Sequence, residues 1–243
     1  MRPLSVLLLL FALPAQALTL LTEDFPPLSY SPDGGETVVG ISVDLLREAL
    51  ARTETPATIA LMPWRNAYKR ALDDANTCVF SASRTPEREP LFKWIGPLSD
   101  GKWVLFARAD DRVAPRSWDD VRALGEHGGI LLNYDSSAIR RLNTLGGLRL
   151  DPTGRTVEQN LRKLQSGKGR FFFYIRHGGE AEIRRLKLER EIRVVEPALD
   201  HQDFFLLLGR HVAPEQRDAL QEALRAFAAS GQLQALQKQW SMQ

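Results

Sequence analysis

The sequence is poor in the residues that support metal and redox chemistry. It contains one cysteine, Cys78, so no disulfide can form within the chain. Its four histidines are separated by long intervals, with none of the spacings that are typical of metal ligands. The sequence also has no nucleophile elbow and no phosphate-binding loop. We therefore predict no metal site, no cofactor and no catalytic residue.

The sequence also lacks a strong charge of either sign. The formal net charge is +2 over 243 residues, and charged residues make up 26% of the chain. The basic residues between 184 and 193 alternate with glutamates, which is typical of a solvated helix face. No internal repeat or low-complexity segment is present. This composition argues against a nucleic-acid partner and against binding to an anionic membrane.

Long apolar runs are confined to the N-terminus. The segment Leu4 to Leu13 follows Arg2 and precedes the small-x-small pattern Ala15-Gln16-Ala17, which is the pattern of a secretory signal peptide. We therefore predict that residues 1–17 are a signal peptide and are removed. No later segment reaches the length of a membrane span, so we expect a soluble exported protein without membrane insertion.

Strand-like and helix-like segments alternate along the rest of the chain. Short apolar runs predict strands, and apolar residues at helical spacing predict helices. The predicted strands include 18–22, 57–61, 78–80, 102–107, 129–132 and 170–175, and the predicted helices include 40–52, 66–73, 138–142 and one from Pro214. Capping boxes at Ser117 and Thr156 predict two further helix starts. This alternation is typical of an α/β architecture with parallel strands.

One stretch places hydroxyl groups and a guanidinium directly after a predicted strand. The apolar run from Cys78 leads to Ser81 and Ser83, and the segment Thr85-Pro86-Glu87-Arg88 follows. Thr85 is the predicted N-cap of a short helix, with Pro86 as its first residue. Ligands of open α/β sheets bind beyond the carboxyl ends of the strands, so the hydroxyls and the guanidinium are predicted to face a ligand.

Arg88 is the strongest candidate in this stretch. Its planar guanidinium matches the two oxygens of a carboxylate, and Ser81 and Ser83 can supply further donors. The alternative is that Arg88 pairs with Glu87 or Glu89 on a surface helix.

The pattern S-x-S-x-x-x-x-R with T-P-E-R inside it resembles the bacterial family 3 extracellular solute-binding proteins. These are the type II periplasmic receptors that deliver polar amino acids to ABC transporters. The Phe25 to Pro27 loop and the tail from Ala229 to Trp240 are also similar to the family, and the resemblance covers essentially the whole mature chain.

The resemblance implies a two-lobed α/β fold of the type II periplasmic binding kind, with parallel-type sheets and two crossover strands. Lobe one would comprise residues 18–106 and 201–243, and lobe two residues 107–200. The resemblance also implies a small-molecule ligand bound between the lobes, a possible ABC transporter permease as partner, and a location in the periplasm. We expect a monomer that closes about its crossovers when it binds.

Two further loops are expected at the edge of the sheet that carries Ser81. Pro26 and Pro27 exclude a helix and regular strand pairing, and in the family this loop presents an aromatic ring to the ligand, at the position of Phe25. Trp64 and Arg65 follow the second predicted strand and are expected to line the ligand site. The alternatives are that Phe25 fills a core, that Trp64 packs beneath a helix and that Arg65 is solvated.

The second lobe is expected to contribute Asp135, Ser136 and Tyr174. Asp135 or Ser136 is the predicted N-cap of helix 138–142, whose free N–H groups favour an anion, although capping alone explains both residues equally well. The family usually carries V-D-A-V-V-x-D at strand 170–175, and its final aspartate binds the ligand's α-ammonium. Here Tyr174, Ile175 and Arg176 occupy those positions.

This departure bears on the ligand's charge. A buried α-ammonium needs an anionic or carbonyl partner, which Asp135 or Asp203 could still supply from another loop. Because Arg65, Arg84 and Arg88 are all expected near the cleft, we predict a ligand with net negative charge or an aromatic body rather than a simple zwitterionic amino acid.

Two other functions fit the same scaffold. One is a periplasmic dehydratase-like enzyme, for which Asp135 or Asp203 would have to point into the cleft; His201 would then lie beside it in the return crossover. The other is a sensory binding module that acts on a membrane kinase. Turnover of prephenate-like acids would indicate the enzyme, and neighbouring permease and ATPase genes would indicate transport.

Overall fold

The chain forms two mixed sheets, each of which packs against helices. The computed structural model describes residues 17–99, 101–134, 136–232 and 235–236. In those residues the strands are β1 (Leu18–Thr22), β2 (Ala57–Leu61), β3 (Thr77–Ser83), β4 (Lys93–Ser99), β5 (Lys102–Arg108), β6 (Ile130–Asn133), β7 (Leu150–Gly154), β8 (Phe171–Ile175), β9 (Ile192–His201) and β10 (Phe204–Leu208). The α-helices are α1 (Ile41–Arg52), α2 (Trp64–Asp73), α3 (Trp118–Ala123), α4 (Ser137–Leu145), α5 (Val157–Gln165), α6 (Arg176–Arg185) and α7 (Pro214–Ala229). The predicted signal peptide and the predicted last helix near Trp240 lie almost entirely outside the described residues.

The strand order is β2-β1-β3-β10-β4 in the first sheet and β7-β6-β8-β5-β9 in the second. In the first sheet β1 runs parallel to β2 and β3, and in the second β6 runs parallel to β7 and β8. Antiparallel pairs form where β10 joins β3 and β4, and where β5 joins β8 and β9. The predicted alternation of strands and helices is confirmed, but the sheets are mixed because β10 and β5 enter directly from the other sheet, without the helical crossover that parallel pairing requires.

We call the first sheet with α1, α2 and α7 the first half, and the second sheet with α3 to α6 the second half. The chain crosses between them from β4 to β5 and from β9 to β10, and the crossings meet where Gln202 N donates to Gly101 O at 2.8 Å. A Cβ atom on Gly101 would lie 1.9 Å from Gln202 O, so only glycine fits there. The division into lobes at residues 106 and 200 stays a prediction; residues 102–106 pair in the second sheet.

Aromatic side chains fill the core of the second half and reach the first. Phe106, Phe172 and Phe173 are fully buried in it. Leu28 and Ile41 from the first half pack in the same apolar cluster. The two halves therefore share apolar contacts beside the two chain crossings.

The structure differs from the sequence-based prediction around Thr85. Strand β3 continues to Ser83, so both serines lie in the strand rather than after it. No α-helix begins at Thr85; residues 86–88 form a turn, and a 3₁₀-helix follows at Glu89–Leu91. Because Pro86 and Pro90 stand four residues apart, the second cannot donate the backbone hydrogen bond that an α-helix needs there.

Two other segments were predicted wrongly or missed. The basic stretch 184–193 is not a helix face, because α6 ends at Arg185 and β9 begins at Ile192. Strand β7 was missed because Asp151-Pro152-Thr153-Gly154 has the composition of a turn. Its place at the edge of the sheet explains why a proline is tolerated.

An ion pair ties the segment after β5 to the second sheet, and its removal should destabilise the protein. Arg170 donates to both carboxylate oxygens of Asp111, at 2.7 and 3.0 Å, and this holds the pKa of Asp111 below its usual value. We expect Asp111→Asn to lower the free energy of unfolding by about 2 kcal/mol at pH 7. Asp110→Asn is the control, since the Asp110 side chain is 78% exposed.

The pH dependence of this effect has a defined sign. Because the folded pKa of Asp111 is depressed, its contribution is complete above the unfolded value of about 3.9 and is lost as the pH falls through the folded pKa. The difference in urea unfolding between wild type and Asp111→Asn should therefore shrink as the pH falls below about 3.9 and through the depressed folded pKa. A difference that stays constant with pH would contradict this account.

Candidate functional site

The candidate site lies where the carboxyl ends of β1 and β3 meet the first turns of α4 and α6. Ser83 Oγ lies 3.4 Å from Ser137 Oγ, and the ring centroids of Phe25 and Tyr174 are 6.1 Å apart. Each of these contacts joins a residue of the first half to one of the second. We use the word cleft for the region between the halves where Phe25, Ser83, Arg88, Ser137 and Tyr174 come together.

Arg88 is held by neutral groups. Its Nη1 donates to Ser83 O at 3.0 Å, and its guanidinium lies 4.9 Å from the ring centroid of Trp64 and 5.4 Å from that of Tyr68. Burial lowers the pKa of Arg88. Among the residues that the structure describes, no carboxylate forms an ion pair with Arg88. Its positive charge is therefore oriented by a carbonyl and two ring faces and remains available to an anion.

One of the two alternative partners predicted for Arg88, Glu89, is engaged elsewhere. Glu89 accepts two hydrogen bonds from Arg84, at 2.6 and 2.5 Å. Arg84 also lies over the rings of Trp94 and Phe205, with distances of 5.4 and 5.7 Å to their centroids. The structure thus separates the two arginines: Arg84 is neutralised at the surface, whereas Arg88 is half-buried beside the cleft.

Ser81 is buried in a network of hydroxyl groups behind the cleft. Ser29 Oγ donates to Ser81 Oγ at 3.4 Å, and Thr22 Oγ1 lies 2.9 Å from Ser29 Oγ. Ser81 has a φ of 56°, in the left-handed region that non-glycine residues seldom adopt. This turn of the backbone comes two residues before Ser83. The Ser83 carbonyl accepts a hydrogen bond from Arg88, and the Ser83 hydroxyl lies within hydrogen-bond distance of Ser137 Oγ. The geometry gives Ser81 a positioning role; a direct ligand contact stays a prediction.

Phe25 and Tyr174 form an aromatic contact between the halves. The loop that carries Phe25 is closed by backbone hydrogen bonds between Phe25 and Ser29, and the Phe25 ring also packs on Phe204 at 5.3 Å. Tyr174 stacks on Phe172 at 5.4 Å, and burial raises its pKa far above the usual value, so its hydroxyl is neutral at pH 7. The ring of Tyr174 therefore presents an apolar surface at the end of β8, close to the position at which the family pattern has an aspartate.

Trp64 and Arg65 differ from the prediction that placed them in a loop. Helix α2 begins at Trp64, directly after Pro63, so both residues belong to its first turn. Trp64 is half-buried against Arg88, and its ring centroid lies 6.0 Å from that of Tyr68. Arg65 is exposed, and in the described part of the chain no hydrogen bond, ion pair or cation–π contact joins it to another candidate residue. The structure thus brings Trp64 to the cleft and leaves Arg65 outside it.

The first turn of α4 supplies both a confirmed cap and a residue that was missed. Ser136 Oγ accepts a hydrogen bond from Ala138 N at 3.2 Å, as predicted for an N-cap. Asp135 lies outside the described residues. Ser137 touches Ser83, yet nothing in its sequence context distinguishes it from any other serine after a cap. To identify Ser137 from the sequence, one would have to know that the start of α4 packs against the end of β3.

Two of the three residues considered for catalysis, His201 and Asp203, interact with each other; Asp135 lies outside the described residues. His201 Nε2 lies 3.0 Å from Asp203 Oδ1, and the His201 side chain is 55% exposed. Within the described residues no cluster of three or more histidine, cysteine, aspartate or glutamate side chains could hold a metal ion. No helix in that part of the chain is both long enough and apolar enough to span a membrane.

Comparisons with known proteins bear on the family and the fold of this chain. The family model of the bacterial extracellular solute-binding proteins, family 3, matches residues 18–243. A search of curated protein sequences found no match to this chain. A large set of solved structures is similar to it.

Three of these structures illustrate the likeness. A histidine kinase sensor domain with similarity to periplasmic binding proteins has a TM-score of 0.77 at 20% identity, over 93% of this chain and 96% of that one. GshT of Streptococcus mutans, from a study of glutathione import, has a TM-score of 0.77 at 17% identity, over 93% and 95%. The amino acid ABC transporter substrate-binding protein AbpA of Streptococcus pneumoniae, bound to L-arginine, has a TM-score of 0.74 at 15% identity, over 94% and 95%.

At these identities the structures establish the fold, and they confirm the predicted two-lobed α/β fold of periplasmic binding proteins. The family match is independent of them and extends over nearly the whole chain, including every strand and helix described above. This protein therefore belongs to the bacterial extracellular solute-binding proteins of family 3.

Proposed function

We propose that this protein captures a small carboxylate-bearing ligand in the cleft between its two halves. The observation that carries the proposal is Arg88, a half-buried cation at the cleft that forms no ion pair with a carboxylate among the described residues. A guanidinium fixed by a carbonyl and two aromatic rings presents its remaining N–H groups in a planar fork, which suits a carboxylate. Ser83 and the first turn of α4 offer further donors on the two sides of the ligand.

We further propose that the halves act as lobes that open and close about the crossing where Gly101 meets Gln202. The strands beside the crossings pair with each other, β4 with β10 and β5 with β9, and Gln202 N donates to Gly101 O between them. The two crossings thus form a two-stranded connection, which is the kind of hinge about which lobes rotate. The contacts between Phe25 and Tyr174 and between Ser83 and Ser137 then belong to the closed arrangement. Ligand exchange requires both contacts to separate.

The proposed partner is the permease of an ABC importer, and the proposed location is the periplasm, reached through the signal peptide at residues 1–17. AbpA and GshT are similar in fold and come from importer systems, which supports this assignment. The family and these structures are of binding proteins, so we propose binding of the ligand without turnover. A monomer suffices for this role.

Sensing is the second candidate function, and the kinase sensor domain with the same fold supports it. Binding to one site can serve either role, because in each the ligand stabilises the closed arrangement that the partner recognises. Uptake of the labelled ligand by cells that lack this protein decides between the two. Lost uptake indicates transport, and unchanged uptake with a lost transcriptional response indicates sensing.

A thermal-shift screen of the purified protein tests the proposal. The panel should contain amino acids, dicarboxylates and short peptides, with Arg88→Gln screened in parallel. A ligand at one hundred times its Kd stabilises the folded protein by about 2.7 kcal/mol, so we expect a clear rise in Tm for the wild type and a much smaller one for the variant. If no member of the panel raises the Tm, the proposed function is wrong.

A further inference from the structure

The second half places its own arginine on the side of the cleft that faces Arg88. Ser137 and Arg140 are three residues apart in α4, so they lie on the same face of the helix. Ser137 Oγ is 3.4 Å from Ser83 Oγ, which puts that face against the end of β3. Ser83 also binds Arg88 through its carbonyl. Arg140 therefore stands one helical turn beyond the point where the halves meet.

The neighbouring arginine of α4 is used differently. Arg141 forms an ion pair with Asp200 and a hydrogen bond with Gln202, and its guanidinium lies 5.0 Å from the ring centroid of Trp103. These contacts anchor α4 to the chain crossing and fix the rotation of the helix. Arg140, by contrast, is exposed and forms no ion pair or hydrogen bond in the part of the chain that the structure describes.

Charged residues of both halves affect Arg88 electrostatically. The charge of Arg140 acts in the same direction as burial and lowers the pKa of Arg88, while Glu23 and Glu87 act in the opposite direction. Glu87 is fully exposed and responds to both arginines. Two guanidinium groups on opposite sides of a closing cleft repel each other, and an anion between them removes that cost.

We infer that Arg140 is a second anion-binding residue and that the ligand carries two anionic groups, one bound by Arg88 and the other by Arg140. This inference rests on the proposed function and narrows its ligand class to small dicarboxylates, with or without an amino group. Arg88 would hold one carboxylate in the first half before closure, and Arg140 would reach the other carboxylate as the second half closes. The ligand then bridges the two charges that otherwise oppose closure.

The test compares diacids with their monoamides by calorimetry on the full chain. The pairs are L-glutamate with L-glutamine, L-aspartate with L-asparagine, and succinate with succinamate. We expect the wild type to bind at least one diacid about tenfold or more tightly than its monoamide, as the loss of a charge-assisted hydrogen bond implies. Arg140→Gln should bind the diacid no better than the monoamide.

Two variants keep the test sharp. Arg190→Gln removes the same charge from an exposed position in the turn before β9, and its preference for the diacid should match that of the wild type. Arg140→Lys keeps the charge and should retain part of the preference. Thermal unfolding of each variant without ligand checks that the fold is intact.

Several outcomes would overturn the inference. One is a wild type that binds none of the diacids more tightly than its monoamide, and another is a preference that survives in Arg140→Gln. A neutral or basic ligand whose binding depends on Arg88 would leave the proposed function standing and overturn the inference alone. If nothing in the wider screen binds, the proposed function falls with it.

Discussion

Arg88→Gln is expected to weaken binding of the ligand found in the screen by about a hundredfold or more, because hydrogen bonds to a charged group contribute about 1.5 to 3 kcal/mol and the carboxylate would be left desolvated without a partner. The variant removes the charge and keeps a polar side chain at this half-buried position. Isothermal calorimetry at fixed pH and ionic strength measures the change directly.

Two further variants separate charge, shape and general perturbation at this position. Arg65→Gln removes a positive charge from the first turn of α2, where the side chain is exposed and outside the cleft, and should bind as the wild type does. Arg88→Lys keeps the charge but loses the planar fork, so we expect an intermediate affinity. If Arg88→Lys binds as tightly as the wild type, Arg88 does not hold a carboxylate through two parallel hydrogen bonds.

The second large effect is expected from a disulfide that locks the cleft. Ser83 Oγ and Ser137 Oγ are 3.4 Å apart, so cysteines at both positions should form a bond after a small movement of either half. The oxidised double variant, prepared without ligand, should fail to bind it because the cleft cannot open. Reduction with dithiothreitol should restore binding to that of the reduced protein.

The native cysteine does not interfere with this design. Cys78 is fully buried, and burial raises the pKa of its thiol to about 12, so it stays protonated and unreactive. The single variants Ser83→Cys and Ser137→Cys are the matched controls and should bind the same with and without reductant. Small-angle scattering should give the oxidised protein the small radius of gyration that the wild type adopts only with saturating ligand. Binding at wild-type affinity by the oxidised form would show that the halves need not separate.

The sequence specified the elements that depend on local chemistry. Strands β1 and β2, with their apolar runs, fall where they were predicted, and the Ser117 capping box begins α3 as expected. The role of Ser136 as a cap was also predictable, because a serine before a helix can satisfy the free N–H groups of its first turn. These features require no knowledge of distant residues.

The details of the cleft could not be read in the same way. The contact between Ser83 and Ser137 joins residues 54 positions apart, and it depends on how the two halves approach each other. The sequence placed both Arg84 and Arg88 near the cleft and could not show their partners. In the structure Glu89 pairs with Arg84, and the rings of Trp64 and Tyr68 lie against Arg88. Which of the two arginines forms an ion pair is decided by tertiary packing, which the sequence pattern alone does not show.

The position of β10 has a consequence for how the protein is made. Strand β10 lies between β3 and β4, although more than one hundred residues of chain, including the whole second sheet, separate it from them. During synthesis the edges of β3 and β4 that face β10 therefore remain unpaired until residues Phe204–Leu208 have been made. The strands of the second sheet can pair with one another before that. Exposed strand edges of this kind favour association with other chains, so a protein truncated before β10 should aggregate, and a chaperone that covers those edges should raise the yield of native protein.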